Sequence, residues 1–145
     1  TEGIVIAYTS VYGNTKKAVE LLADKLRANG CPKVVLNDLA RCDMAEAVED
    51  AFRYGKLVLA ITTYNADVFP FMRIFIDHLT ERGFKNKTVG FIENGTWALM
   101  AEKFMRRALE NCKNLTYTEA GVHIKSAMNE KNIEEIEALA EELCK

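Results

Sequence analysis

Two patterns of apolar and polar positions alternate along the chain. Short continuous apolar runs rich in β-branched residues are separated by longer segments in which apolar residues recur three and four positions apart. The first pattern is typical of strands buried on both faces of a parallel sheet, and the second of helices that cover a sheet with one apolar stripe. The sequence therefore predicts an α/β fold in which strands alternate with crossover helices.

The pattern predicts five strands, four of them continuous enough to be buried on both faces and the last one weaker. They are Ile4–Thr9, Lys33–Leu36, Leu57–Thr62, Thr88–Ile92 and a stretch around Leu115–Ile124. A doubly wound sheet of this kind binds its ligand at the carboxyl ends of the strands, where the strand order reverses. The segments that follow strands one, three and four are therefore the places to look for a site.

Each predicted helix carries apolar residues on one face. The stripes are Val19, Leu22 and Leu26; Met44, Ala47, Val48, Ala51 and Phe52; Met72, Phe75, Ile76 and Leu79; Ala101, Phe104, Met105, Ala108 and Leu109; and Ile133, Ile136, Ala140 and Leu143. Gly30, Gly55 and Gly83 stand near helix ends, where a left-handed residue is wanted. Because no repeat or linker interrupts the pattern, we predict one domain over residues 1–145.

The composition of the chain disfavours several classes of function. The 145 residues are 49% apolar and carry a formal charge of −2, with scattered Lys and Arg, which disfavours nucleic acid as a partner. The longest apolar runs are about five residues, whereas a bilayer span needs roughly 20. With no signal-like layout at the start, the sequence predicts a soluble, cytoplasmic protein that does not bind membranes.

Cysteine and histidine positions argue against a metal centre. Cys31, Cys42, Cys112 and Cys144 are far apart in sequence, without a C-x-x-C pair, and we predict reduced thiols. The two histidines lack metal-ligand spacing. We expect His78 on a helix flank and His123 inside a strand, with no metal ligand and no catalytic side chain in this chain.

The loop after the first strand has the composition of an anion site. Ser10–Thr15 combines hydroxyls at both ends with a central glycine and leads into a helix, so backbone N–H groups and the helix dipole converge on it. It is neither G-x-x-x-x-G-K-[ST] nor G-x-G-x-x-G, which disfavours nucleotide hydrolysis and nicotinamide binding. The alternative is a plain strand-to-helix turn with Thr15 as N-cap.

Aromatic residues occur in the other two loops. Tyr64, after the third strand, is the first candidate to stack on a flat ring, although it would equally suit packing on a helix, and Phe69 is expected in the core. The single tryptophan, Trp97, lies after the fourth strand and would pack against the other side or edge of such a ring. Its alternative role is to cover the following helix against the sheet.

These motifs resemble those of a known family. The pattern [ST]-x-x-G-x-T resembles the flavodoxin phosphate loop, and S-x-Y-G-N-T is similar to the flavodoxin-like domain of A-type flavoproteins, or flavodiiron proteins. T-T-Y-N-A-D-V-F-P-F-M and E-N-G-T-W-A resemble their other two loops. The likeness extends over nearly the whole chain, including L-N-D-L at Leu36–Leu39 and the closing I-E-A-L-A-E-E-L. Leu99 and Met100 depart from the pattern, where relatives often have Pro and a small polar residue.

The resemblance implies a flavodoxin-like sheet of order 2-1-3-4-5 that binds flavin mononucleotide (FMN) non-covalently, with Lys16 and Lys17 adding a secondary attraction to the phosphate. Asn65, where flavodoxins often have Gly, implies a less stabilised one-electron-reduced form. The expected cofactor contacts are Ser10, Val11, Tyr12, Gly13, Asn14 and Thr15; Thr62, Thr63, Tyr64, Asn65 and Ala66; and Glu93, Asn94, Gly95, Thr96 and Trp97.

The function implied is electron transfer by FMN, with carboxylates such as Glu93 and Asp67 lowering its potential. The resemblance implies a rubredoxin, a flavin reductase or a di-iron domain as redox partner, in an anaerobe, and a head-to-tail homodimer for a full-length flavodiiron parent. The start at Thr1 is compatible with a domain cut from such an oxidoreductase. The alternatives are a free-standing short-chain flavodoxin, a small NAD(P)H-dependent FMN reductase, and a flavin-free receiver-like domain, which the lack of acidic residues at the first strand's end disfavours.

Overall fold

The computed structural model describes residues 3–9, 14–39, 43–62, 69–94, 106–124 and 130–144. Strands and helices alternate through most of these ranges, and residues 106–108 are helical as well. The elements are β1 (Ile4–Tyr8), α1 (Asn14–Ala28), β2 (Val34–Asp38), α2 (Met44–Arg53), β3 (Lys56–Thr62), α3 (Phe69–Glu81), β4 (Thr88–Asn94), β5 (Thr116–Tyr117), β6 (Val122–Ile124) and α4 (Glu130–Leu143).

The sheet is parallel and its order is β2-β1-β3-β4-β5, which confirms the predicted doubly wound topology. Successive residues of the inner strands point to opposite faces, so the core is divided in two. On one face, Val5, Leu57 and Phe91 belong to a cluster with α2 and α3. On the other, Ile6 and Val58 belong to a cluster with α1 and α4. Both faces are thus covered by helices.

The fifth predicted strand is present as two short pieces, so the sheet has six strands rather than five. β5 pairs with the start of β4 and β6 with its end, both in parallel. Between them Thr118 donates its N–H to Val89 O (3.0 Å) and its hydroxyl to Ala120 O (2.8 Å). The carboxylate of Glu142 accepts the N–H groups of Glu119 (2.8 Å) and Ala120 (2.9 Å). A helix carboxylate therefore replaces strand pairing at this break.

β2 corrects the expectation that the first four strands are buried on both faces. All five of its residues are only half-buried. β2 stands at the end of the strand order, beside β1, so its outer side is not covered by another strand of the described chain. It also ends at Asp38, two residues later than predicted.

The predicted apolar stripes hold for α1 and α3, whose predicted residues are all buried. On α2, Ala47, Val48 and Ala51 are buried, whereas Met44 and Phe52 are partly exposed. The prediction for the last helix was wrong at Ile133, which is 38% exposed. The polar residues Asn132 and Glu135 face β6 instead and hydrogen-bond to His123.

Helix ends follow the glycine prediction at two of three positions. Gly30 (φ +92°) and Gly83 (φ +75°) are left-handed, as expected at the ends of α1 and α3. Gly55 is not left-handed, because α2 ends at Tyr54 in an extended conformation (φ −101°, ψ 154°) that leads directly into β3. Within the described ranges, no helix combines the length and apolarity needed to cross a bilayer.

Candidate functional site

The carboxyl ends of β1, β3, β4 and β6 meet at one edge of the sheet. Tyr8 is paired in register with Ala60, and Asn94 is paired with both Thr62 and Ile124. From β1 the chain proceeds to β2 on one side, and from β3 to β4 on the other, so the strand order reverses between β1 and β3. Parallel sheets bind ligands at such a point, because the loops that leave the two strands diverge and open a crevice.

The amino end of α1 lies at this point of reversal. α1 begins at Asn14, so Thr15 is in its first turn rather than at the N-cap. The first turn contains no acidic residue, and Lys16 and Lys17 are exposed. The first N–H groups of a helix have no acceptor within the helix and lie at its positive dipole end, so this position, with lysines nearby, suits an anionic group. Ser10, Val11, Tyr12 and Gly13 lie outside the described residues.

The other two predicted loops begin at neighbouring positions. Thr62 ends β3 and Asn94 ends β4, and the two are register partners at the carboxyl edge. The structure thus brings the starts of both loops together at the edge where β1 also ends. The remaining predicted contacts and the two family departures lie outside the described residues; they are Thr63, Tyr64, Asn65, Ala66, Asp67, Gly95, Thr96, Trp97, Leu99 and Met100.

A carboxylate and an imidazole form a pair at the same edge. Glu93 and His123 are register partners on β4 and β6, and Oε2 of Glu93 lies 2.9 Å from Nδ1 of His123. The Glu93 side chain is 0% exposed, whereas that of His123 is 36% exposed. Glu93 is one of the predicted cofactor contacts, whereas the sequence indicates no role in the site for His123. The pairing depends on the register of β6, which follows the break after β5, and no local motif signals it.

The backbone of His123 is held by α4. Asn132 donates from Nδ2 to the carbonyl oxygen of His123 (2.7 Å) and to Oε1 of Glu135 (2.8 Å). The same Glu135 oxygen accepts the N–H of His123 at 3.4 Å. This network holds the backbone of His123 against α4, while the imidazole itself contacts Glu93 on β4.

An arginine lies on the sheet face that carries Glu93. The guanidinium of Arg106 is 4.5 Å from the ring centroid of Tyr117 and 5.7 Å from that of Phe91. Phe91 and Glu93 are two positions apart on β4 and therefore point to the same face. Burial raises the pKa of the Tyr117 phenol, and the positive charge of Arg106 opposes that shift.

The opposite end of the sheet has a different character. A cavity of about 480 Å³ is lined there by Ile4 and Lys56, the first residues of β1 and β3, and by the thiols of Cys31 and Cys144. The described cysteines, Cys31, Cys112 and Cys144, are free, and Cys42 lies outside the described residues. The described chain has no group of three metal-ligating side chains. This cavity is remote from the carboxyl edge and shares no residue with the predicted loops.

Comparison with solved structures identifies the architecture. The chain superposes over 99% of its length on the rubredoxin oxygen:oxidoreductase of the anaerobe Desulfovibrio gigas (TM-score 0.85, 18% identity). It superposes equally completely on the flavodiiron protein of Giardia intestinalis (TM-score 0.83, 20% identity). Flavodoxin 1 of Bacillus cereus matches 98% of the chain (TM-score 0.80, 14% identity). The fold is flavodoxin-like.

The matched proteins differ in length. The chain spans 35% of the Desulfovibrio protein and 36% of the Giardia protein, but 97% of the Bacillus flavodoxin. It therefore corresponds to a part of the first two and to nearly all of the third. No protein-family model and no curated protein matches the sequence. The flavodoxin-like fold expected from the motifs is confirmed by structural similarity at low sequence identity.

Proposed function

We propose that this chain binds FMN non-covalently at the carboxyl edge of the sheet and carries electrons. The observation that carries the proposal is the amino end of α1, which has no acidic residue in its first turn and follows β1 at the point where the strand order of a flavodoxin-like sheet reverses. Backbone N–H groups and exposed Lys16 and Lys17 are the donors that a phosphate group requires there. Structural similarity to flavodoxins supports the same assignment.

The proposed contacts fall into three sets. Ser10–Thr15 would hold the phosphate with backbone and hydroxyl donors. Thr62–Ala66 would cover one side of the ring through Tyr64, and Glu93–Trp97 would cover the other side or edge through Trp97. When bound, FMN supplies one- and two-electron chemistry, whereas the protein binds it, orients it and limits its contact with water. No nucleophile or general base is needed for this function.

The finer proposal is a module that passes electrons to a di-iron centre. It is supported by the superposition over 99% of the chain on a rubredoxin oxygen:oxidoreductase and a flavodiiron protein. Rubredoxin or a flavin reductase would then be the electron donor, and a homodimer would belong to the parent protein. Free thiols at Cys31, Cys112 and Cys144 support a reducing, cytoplasmic setting.

The second candidate is a free-standing short-chain flavodoxin. The match to 97% of the length of Bacillus cereus flavodoxin 1 favours it, because the two folds correspond over nearly their whole length. A small FMN reductase would differ from both by oxidising NAD(P)H rapidly on its own. Stopped-flow mixing of the FMN-loaded chain with NADH and with reduced rubredoxin distinguishes a reductase from an electron carrier.

The cofactor proposal is tested by titrating the protein with FMN and with riboflavin, which lacks the phosphate, while flavin fluorescence is recorded. We expect FMN to be quenched at an affinity at least about 100-fold higher than riboflavin, because several charge-assisted hydrogen bonds are lost without the phosphate. Equal affinities would contradict the phosphate site, and no quenching by either ligand would contradict flavin binding.

The stacking proposal is tested with two tyrosine variants. Tyr64→Leu should weaken FMN binding about tenfold, because it removes one aromatic surface from the ring. Tyr117→Leu is the matched control, since Tyr117 pairs with Val89 near the start of β4, away from the carboxyl edge. An unchanged affinity in Tyr64→Leu would remove Tyr64 from the site.

A further inference from the structure

The Glu93–His123 pair places two ionisable groups in contact at the carboxyl edge of the sheet. A carboxylate that is 0% exposed is costly unless a partner compensates its charge, and the imidazole 2.9 Å away is placed to do so. The imidazole is itself 36% exposed, so water reaches it while the carboxylate stays buried. The pair thus links a buried charge at the carboxyl edge to protons in solvent.

The pair lies one residue from the third predicted loop. Glu93 precedes Asn94, the last residue of β4, and Asn94 is the register partner of Thr62 at the end of β3. Glu135 on α4 accepts the N–H of His123 at 3.4 Å. Arg106 lies over the ring of Phe91, on the sheet face of Glu93. Because α4 and β4 hold His123 from two sides, its position does not depend on the loop itself.

We propose that His123, with Glu93 as its partner, takes up a proton when negative charge is added at the carboxyl edge by FMN binding and by reduction of FMN. The inference rests on the proposed cofactor. It assigns to His123 a role in setting the charge of the site without contact between the imidazole and the flavin.

The coupling between the imidazole and the cofactor is electrostatic. With a neutral imidazole and an ionised carboxylate the pair carries one negative charge, and with a protonated imidazole it carries none. A phosphate dianion or an added electron nearby favours the second state, because like charges repel strongly where water is partly excluded. FMN binding and FMN reduction each favour the protonated imidazole, so by linkage the protonated imidazole favours both of them. Acid therefore strengthens FMN binding and raises the reduction potential of FMN.

The proton and electron balance is simple. The imidazole can take up one proton in all, and that proton comes from water. FMN binding would supply part of this uptake, and reduction of FMN by an external donor, dithionite in the test below, would supply the remainder, while no covalent bond of the protein breaks. On oxidation by an electron acceptor, the electron transfer and the proton uptake linked to it reverse.

The test follows both histidines by NMR. His123 and His78 are the two histidines of the chain, so their imidazole C–H signals can be assigned with His123→Gln and titrated from about pH 5 to about pH 9. We expect FMN to raise the pKa of His123 by at least about half a unit and dithionite reduction to raise it further. His78, on α3 and 3.9 Å from Glu81, is the internal control and should move less.

The second measurement is FMN affinity against pH. In the wild-type protein the Kd should fall about threefold or more from alkaline to acid pH across the His123 titration, the fold-change equivalent of the expected pKa shift. His123→Gln should flatten this dependence because it removes the titrating group, and Glu93→Gln should move it to lower pH because the imidazole loses its anionic partner. His78→Gln should leave it unchanged. Circular dichroism of each variant verifies folding, and His123→Gln, at a partly exposed position, keeps the test valid if Glu93→Gln fails to fold.

The outcomes separate the two proposals. FMN binding with identical His123 titrations in free and loaded protein, or with equal pH dependence in wild type and His123→Gln, would overturn the role of His123 and leave the cofactor assignment standing. Absence of FMN binding at every pH would overturn both.

Discussion

Nζ of Lys87 donates a 2.8 Å hydrogen bond to the carbonyl oxygen of Tyr54, the residue that ends α2. The same ammonium donates to the carbonyl of Phe52 at 2.7 Å. Carbonyls at a helix carboxyl end lack partners within the helix and carry the negative end of its dipole. A lysine just before β4 therefore closes α2 and connects it to the sheet, at the end opposite the candidate site.

Lys87→Met should lower the free energy of unfolding by about 1–3 kcal/mol, because both carbonyls lose a charged donor. The control is Lys85→Met, two residues earlier, where the side chain is exposed and the change should stay within about 0.5 kcal/mol. Urea denaturation followed by circular dichroism measures both variants. Equal effects would show that the Lys87 contacts do not contribute.

Gly3 and Gly55 offer a paired test of close packing. A Cβ at Gly3 would lie 2.5 Å from Cδ1 of the buried Tyr54 ring, which would have to move, whereas a Cβ at Gly55 meets nothing within 4 Å. We expect Gly3→Ala to destabilise by about 1–3 kcal/mol and Gly55→Ala to be neutral or slightly stabilising. Urea denaturation midpoints of the two variants measure the difference. An unchanged midpoint in Gly3→Ala would show that the Tyr54 ring moves aside without loss of stability.

The sequence predicted those parts of the fold that depend on local pattern. Continuous apolar runs identify β1 and β3, because a strand buried on both faces needs apolar residues at every position. The break between β5 and β6 escaped prediction, since it is held by Glu142, which is 22 residues from Ala120 along the chain. Ile133 fits the helical spacing but lies at the exposed margin of the α4 stripe, and spacing alone does not define that margin.

The candidate site likewise has one part that local sequence predicts and one part that it does not. The helix start after β1 is a local feature, and the structure has α1 beginning within the predicted loop, at Asn14. The Glu93–His123 contact is set by strand register across a sheet, which no local motif encodes.

Glu142 should be needed for the ordered break between β5 and β6. Its two carboxylate oxygens accept separate backbone N–H groups, and Glu142→Gln replaces one acceptor by an amide donor. We expect a loss of about 1–2 kcal/mol and faster hydrogen exchange at Glu119 and Ala120. Glu141→Gln, at the exposed neighbouring position, should change neither quantity. Unaltered exchange in Glu142→Gln would contradict this assignment.

The thiols should make stability fall in mild alkali. Burial raises the pKa of Cys112, against the effect of a Thr80 hydrogen bond, and also raises that of Cys144, both above the ordinary 9.0. As pH rises through 9.0, the unfolded chain loses these protons before the folded chain, so the unfolded state binds fewer protons and stability decreases. The stability contributed by the protonated thiols is complete below pH 9.0 and is lost as pH rises through their raised pKa values.

Tyr117 and Lys87 also titrate in alkali and restrict the pH range in which the effect of the thiols on stability can be measured. Tyr117, whose pKa is raised from 10.0, adds a loss of the same sign at higher pH. Burial lowers the pKa of Lys87 from 10.5, so the folded state releases that proton first and stability gains as pH rises towards 10.5. Urea denaturation with a phosphine reductant should therefore show the thiol effect from about pH 8 to about pH 10, and a Cys112→Ala, Cys144→Ala double variant should flatten it. The same slope in the double variant would mean that the thiols are not its source.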